Sequence, residues 1–137
     1  MGHQAIISAS SVLGFISYFL VAVVLTAVSI AVYAKITPYR EFHLISEGNA
    51  SAACSFGGTL LGFAVPLASA IAHSAGILDM IVWGVIALCI QLLVYFAVRI
   101  SMPRILAEIP ANHVAAGLLL GVLSLGAGIL NAACMVV

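Results

Sequence analysis

The chain has 137 residues, 65% of them apolar and 6% charged, with mean hydropathy +1.32 and four basic side chains against four acidic ones. That composition leaves a soluble domain without a hydrated shell, so lipid must supply the outer surface. Zero net charge excludes nucleic acid as a partner, because no basic face exists to displace counterions from phosphates.

Four apolar runs follow in order, roughly Ser11 to Ala34, Ala50 to Ala72, Ile77 to Val98 and Asn112 to Met135, each near the ~20 residues that cross ~30 Å of hydrocarbon as α-helix. They predict an all-α membrane protein, a single domain of four transmembrane helices. The first run has no Lys or Arg before it and is too long for a signal-peptide core, so it reads as a permanent span. Gly2 begins no myristoylation motif, since Ile6 stands where Ser or Thr is required. Lys35 and Arg40 fall in the first gap, Arg99 and Arg104 in the third. The positive-inside bias then makes both gaps cytoplasmic and leaves both termini and the turn from His73 to Leu78 outside. Tyr33, Tyr39 and Tyr95 toward the inner side and Trp83 toward the outer suit rings at headgroup level. Arg40 to Ser46 and Arg104 to Ile109 mix charge with apolar residues, as expected of stretches lying on the membrane surface.

The two basic gaps resemble each other. A shift of 65 residues pairs Tyr18 with Trp83, Ala22 with Ala87, Thr26 with Gln91 and Pro38 with Pro103; a shift of 63 then pairs Asn49 with Asn112, Gly58 with Gly121, Leu60 with Leu123 and Ala64 with Ala127. Because a two-span unit returns the chain to its starting side, the copies, about residues 11–72 and 77–135, are expected to be parallel repeats about an axis along the membrane normal.

Spans two and four are rich in small residues. Gly58 and Gly62, and Gly117 and Gly121, form small-xxx-small motifs, and Gly117, Gly121, Ser124, Gly128 and Ala132 draw one helical stripe. Close backbone approach there predicts that these spans form the inner layer, with spans one and three toward lipid. Asn49 and Asn112 stand where spans two and four begin and are expected to cap them. Pro66 should bend span two.

Catalytic and metal-binding patterns are missing. Cys54, Cys89 and Cys134 lie at different depths without a CxxC pair, and no His sits at ligand spacing, so neither cofactor nor metal is expected and an enzyme is the weakest reading. His43, His73 and His113 read as surface histidines, and no carboxylate falls within a span. Gln91 near the middle of span three, Asn131 and Thr59 are the candidate polar membrane site, each needing a partner in hydrocarbon.

Several stretches carry a resemblance: Ile36-Thr37-Pro38, Gly58-Thr59-Leu60-Leu61-Gly62, Pro66-Leu67, Asp79, Trp83, Ile86-Ala87, Gln91-Leu92-Leu93 and the ending Asn131-Ala132-Ala133-Cys134-Met135. From about Gly14 to Met135 the chain resembles the YjfL-type family of small bacterial inner-membrane proteins of unknown function. The resemblance implies a bacterial plasma-membrane location and the same four-span plan, and no reaction. The leading functional expectation is a homo-oligomeric channel- or transport-like module. The alternative is a membrane scaffold or interaction protein, its link to envelope stress taken from that resemblance, with its protein partner unspecified.

Overall fold

The computed structural model describes residues 9–135. The readings made on Gly2 and Ile6, and the placement of the two termini, lie outside the described residues. The helices, in order, are α1 (Ala9–Ile36), α2 (Glu41–Ser46), α3 (Ala50–His73), α4 (Ile77–Ser101), α5 (Pro103–Glu108) and α6 (Val114–Cys134), with no strand among the described residues. α1, α3, α4 and α6 are long and apolar enough to cross a membrane.

Local sequence sets the boundaries. α1 stops because Pro38 drives the residue before it, Thr37, out of helical geometry. Pro103 opens α5, where its missing N–H costs nothing. After α2 the chain closes a Schellman turn: Gly48 takes φ +87°, its N–H donates to the Ile45 carbonyl at 3.0 Å, and the Asn49 N–H donates to the Leu44 carbonyl at 2.9 Å. The same pattern ends α5, where Asn112 takes φ 63° and the Asn112 and His113 N–H groups donate to Ile109 at 3.0 Å and Glu108 at 3.2 Å.

That second turn corrects the expected role of Asn112. It occupies the left-handed position filled by Gly48 in the first connection, a conformation that asparagine tolerates better than most residues. α6 starts at Val114 with His113 as a cap residue lacking a side-chain cap bond. The Asn112 side chain instead reaches across to the other long helix, its Oδ1 accepting from the Ser51 N–H at 3.1 Å. Asn49 caps α3 directly, accepting from the Ala52 N–H at 2.8 Å, while its Nδ2 donates to the carbonyls of Ile109 and Pro110, both at 3.1 Å. Ser51 Oγ donates to the His113 carbonyl at 2.7 Å. The start of α3 is therefore tied to the connection between α5 and α6 through four bonds that neither long helix makes alone.

From those starts α3 and α6 run parallel in continuous contact. A Cβ added to Gly117 would overlap the Ser51 carbonyl, one on Gly121 the Cys54 carbonyl, one on Gly58 the Gly121 backbone, and one on Gly128 the Gly62 carbonyl. Residue numbers rise together along this series, which fixes the parallel sense. α3 runs unbroken through Pro66, which offers no N–H to the Gly62 carbonyl four residues back. That freed oxygen lies against the Gly128 backbone, in a place only glycine permits.

α4 packs antiparallel against this pair with Met80, Gly84, Ala87, Gln91, Tyr95 and Val98 buried at helical spacing. The sequence-based expectation that the third span faces lipid is corrected here: one whole stripe of α4 belongs to the core. α1 does match a lipid-facing span, burying only Ser29 and Tyr33 and exposing Phe15, Phe19, Val23 and Val24. The apolar core divides in two. One cluster at the α2/α5 end centres on Tyr33, Tyr95, Ile109 and Leu120; the other, at the far end, on Phe63, Leu67, Met80 and Ala87.

Candidate functional site

The most unusual side chain is Glu41, the first residue of α2, which is only 2% exposed. Its burial follows from helical spacing: Leu44 and Ile45, three and four residues on, pack against the core, so the apolar face of α2 carries Glu41 inward. The connection that delivers it is itself buried, with Thr37 Oγ1 lying 3.3 Å from the Ala34 carbonyl and 3.4 Å from that of Tyr39.

Hydroxyl groups from three other segments converge on the carboxyl. Tyr33 of α1, Tyr39 of the connection and Tyr95 of α4 each interact electrostatically with it, and Ser55 of α3 lies beside the Tyr33 and Tyr39 hydroxyls. The rings of Tyr33 and Tyr95 meet edge to face at 5.8 Å. Neither Glu41 oxygen has a hydrogen-bond partner of good geometry, nor do Tyr39 Oη, Tyr95 Oη or Ser55 Oγ. Among the described residues the ion pairs are His43 with Glu47 and His113 with Glu108, both exposed, so no cation neutralises Glu41. Burial pushes its carboxyl up from the ordinary 4.5 to about 8, and the nearby Tyr33 and Tyr39 hydroxyls pull part of the way back. Burial also raises the Tyr39 hydroxyl, with Tyr33 and Glu41 adding to the effect.

Deeper along the same interior lie the three residues singled out as the polar membrane site. Thr59 Oγ1 is 3.0 Å from the Ser55 carbonyl, 3.3 Å from Ser124 Oγ and 3.4 Å from Tyr33 Oη. Gln91 is 2% exposed; its Nε2 donates to the Ser124 carbonyl at 3.1 Å and its Oε1 is unpartnered. Thr59 and Gln91 thus meet through Ser124, inside one bundle. Asn131 lies two turns further along α6, half-buried with its Nδ2 unpartnered. Gly58, Gly62, Gly117, Gly121 and Gly128 supply the close backbone contacts that bring these elements together.

The sequence pattern does not single out Glu41 or the tyrosines. It places Tyr33, Tyr39 and Tyr95 at headgroup level, yet they are 3%, 8% and 1% exposed and sit in the core. The signal is present in the chain: an acid at the start of a short helix whose three- and four-residue neighbours are Leu44 and Ile45, beside three tyrosines on one side of the membrane.

The fold and site together define a four-helix membrane bundle with an acidic side chain, lacking a cationic partner, buried at its basic end. The chain belongs to the family described as Domain of Unknown Function (DUF350), whose family model matches residues 6–135. It is 44% identical over 125 residues to the UPF0719 inner membrane protein YjfL of Escherichia coli, covering 91% of this chain and 95% of that protein. Against the UPF0719 transmembrane protein YshE of Bacillus subtilis it is 32% identical over 119 residues, covering 85% of this chain and 89% of that one. No solved structure matches. The protein is accordingly a multi-pass protein of the inner membrane, and neither relative's name states an activity.

Proposed function

We propose that the protein is a homo-oligomeric, transport-like module that passes an ion or small solute along a polar seam inside each bundle. The observation that carries this reading is the run of buried polar groups from Glu41 and its tyrosines through Ser55, Thr59 and Ser124 to Gln91. Polar groups inside a membrane bundle are expensive, and where they cluster they mark pathways. On α6 the seam extends through Gly128 toward Asn131.

The order α1–α2–α3 and α4–α5–α6 repeats long, six-residue and long helices, which supports two parallel repeats as the origin of the bundle. Lys35, Arg40, Arg99 and Arg104 gather at the α2/α5 end, which supports a cytoplasmic position for Glu41 and outward termini. The scaffold alternative, with its link to envelope stress, rests on no structural observation of its own. Purified protein reconstituted in liposomes is expected to pass an ion or solute, and Gln91→Leu to abolish that flux while leaving assembly intact. Absence of flux across a range of potential and pH sinks the reading.

A further inference from the structure

The oxygens around Glu41 have a consequence that deepens the transport reading and takes its functional meaning from it. We infer that Glu41, Ser55, Tyr39 and Tyr95 form a binding site for a single dehydrated monovalent metal cation. Both Glu41 oxygens and the hydroxyl oxygens of the other three are buried without a well-aligned hydrogen bond, with the Tyr33 and Tyr39 hydroxyls close enough to act on the carboxyl and Ser55 beside Tyr39. Carboxylate and hydroxyl oxygens are hard donors, the class that alkali and alkaline-earth cations select.

Charge decides the valence. The site holds one carboxylate, and among the described residues no group of three His, Cys, Asp or Glu comes together, so the multiple carboxylates that hold a divalent ion are missing. One positive charge neutralises Glu41 and supplies what its burial lacks. Size decides against an organic ammonium: Tyr33 and Tyr95 are in ring contact, Glu41 is nearly inaccessible, and the surrounding side chains are core residues. The position suits a carrier's ion site, one end of it at the basic surface and the other continuing through Thr59 to Gln91.

A proton competes for the same carboxylate. The titratable and charged groups that bear on the site are Tyr33 of α1, Tyr39 of the connection, Tyr95 of α4 and Arg99 acting on Tyr95. None of the tyrosines is ionised near neutral pH, so metal binding displaces the Glu41 proton and strengthens as pH rises toward the value at which that carboxyl ionises.

Thermal unfolding of the full-length protein in detergent tests this, followed by Trp83 fluorescence at about pH 9 so that Glu41 is ionised. Chloride salts of lithium, sodium and potassium are titrated against N-methylglucamine at constant ionic strength. At least one metal ion is expected to raise the unfolding midpoint saturably, as a ligand of the native state does. Its apparent affinity should fall about tenfold or more between pH 9 and pH 6. Glu41→Gln should abolish the response and Ser55→Ala weaken it. A wild-type protein that responds to no metal more than to N-methylglucamine, or to pH alone, overturns the site, and so does a Glu41→Gln protein with the wild-type response. Where Glu41→Gln fails to fold, Ser55→Ala and Tyr95→Phe decide: unchanged ion affinity in both overturns the proposal. Liposomes without flux would remove the transport reading while leaving this binding result intact.

Discussion

The α3–α6 seam and the Glu41 pocket are both buried, and they are built on opposite terms. Along the seam every close approach is glycine against backbone, with oxygens facing Cα atoms, and nothing there has room to change. In the pocket, side-chain oxygens from four segments converge with bonds left unmade. In lipid, helices gain little from hydrophobic drive and depend on close packing, so the seam provides the cohesion that lets the pocket carry unsatisfied groups. The contrast separates scaffold from site: one region tolerates no added atom, and the other leaves buried oxygens short of hydrogen bonds.

The sharpest break of that contrast is to add atoms to the seam. Gly58→Leu or Gly128→Leu places a side chain where the partner backbone already lies, and the helices cannot separate without losing the bonds that tie the start of α3 to the α5–α6 connection. Loss of monodisperse protein on size exclusion is the expected result. Gly57 and Gly126 lie on the same two helices with open space at the Cβ position. Gly57→Ala and Gly126→Ala should therefore be tolerated, or stabilise by up to about 1 kcal/mol through helix propensity. Equal damage at Gly57 and Gly58 would show that helix glycine content, and not the seam, matters.

The next largest effect belongs to the pocket. Glu41 is protonated in the fold up to about pH 8, while the unfolded chain ionises from about 4.5. Between those values the folded state binds the extra proton, so stability is fullest below about 4.5 and falls as pH rises to about 8. The total loss is on the order of a few kcal/mol, since each tenfold difference in proton affinity between folded and unfolded chain is worth about 1.4 kcal/mol. Glu41→Gln should remove that slope in denaturation curves measured at several pH values. The quantity to compare is the wild-type slope minus the variant slope, in which contributions common to both proteins cancel.

How much of this was legible in the chain follows the same division. The seam was readable because close backbone contact demands one residue type at one spacing, and Gly58, Gly62, Gly117, Gly121 and Gly128 write that demand openly. The four spans were readable for a similar reason, since length and apolarity are what the bilayer imposes. The pocket was not. Glu41 sits outside every span, and a charged residue at a helix start defaults to the surface; only the packing of Leu44 and Ile45 turns it inward. α4 misled in the same way, because its buried stripe of Met80, Ala87, Tyr95 and Val98 is no more apolar than its exposed face. Asn112 stands at the expected place with a different duty: a shift of 63 pairs it with Asn49, whereas the turn geometry pairs it with Gly48.

The Asn112 turn allows a smaller and more discriminating test. Asn49→Ala removes a cap and two bonds to the carbonyls that follow α5, and should cost about 1–2 kcal/mol. Asn112→Gly keeps the left-handed backbone and loses only the bond to Ser51, whereas Asn112→Ala loses both. The alanine variant should be the less stable of the two in thermal unfolding. The reverse order would mean that the turn is indifferent to φ and that the cross-helix bond is all that Asn112 supplies.

The smallest structural effect is expected at Gln91, where seam and pocket meet. Its single bond to the Ser124 carbonyl ties α4 to α6, and interhelical bonds of this kind average about 0.6 kcal/mol in membrane proteins. Gln91→Leu also removes the unpartnered Oε1, which offsets part of that loss. Stability in detergent should change by less than about 1 kcal/mol. A Cβ on Gly62 would overlap the Ser124 carbonyl, so Gly62→Ala belongs with the seam substitutions and Gln91→Leu is the variant that isolates the amide. If Gln91→Leu stays folded, ion binding at the Glu41 pocket should survive it, because Gln91 donates nothing to that site, while passage through the bundle should fail. Loss of binding along with passage would instead make the pocket and the mid-membrane amide one site.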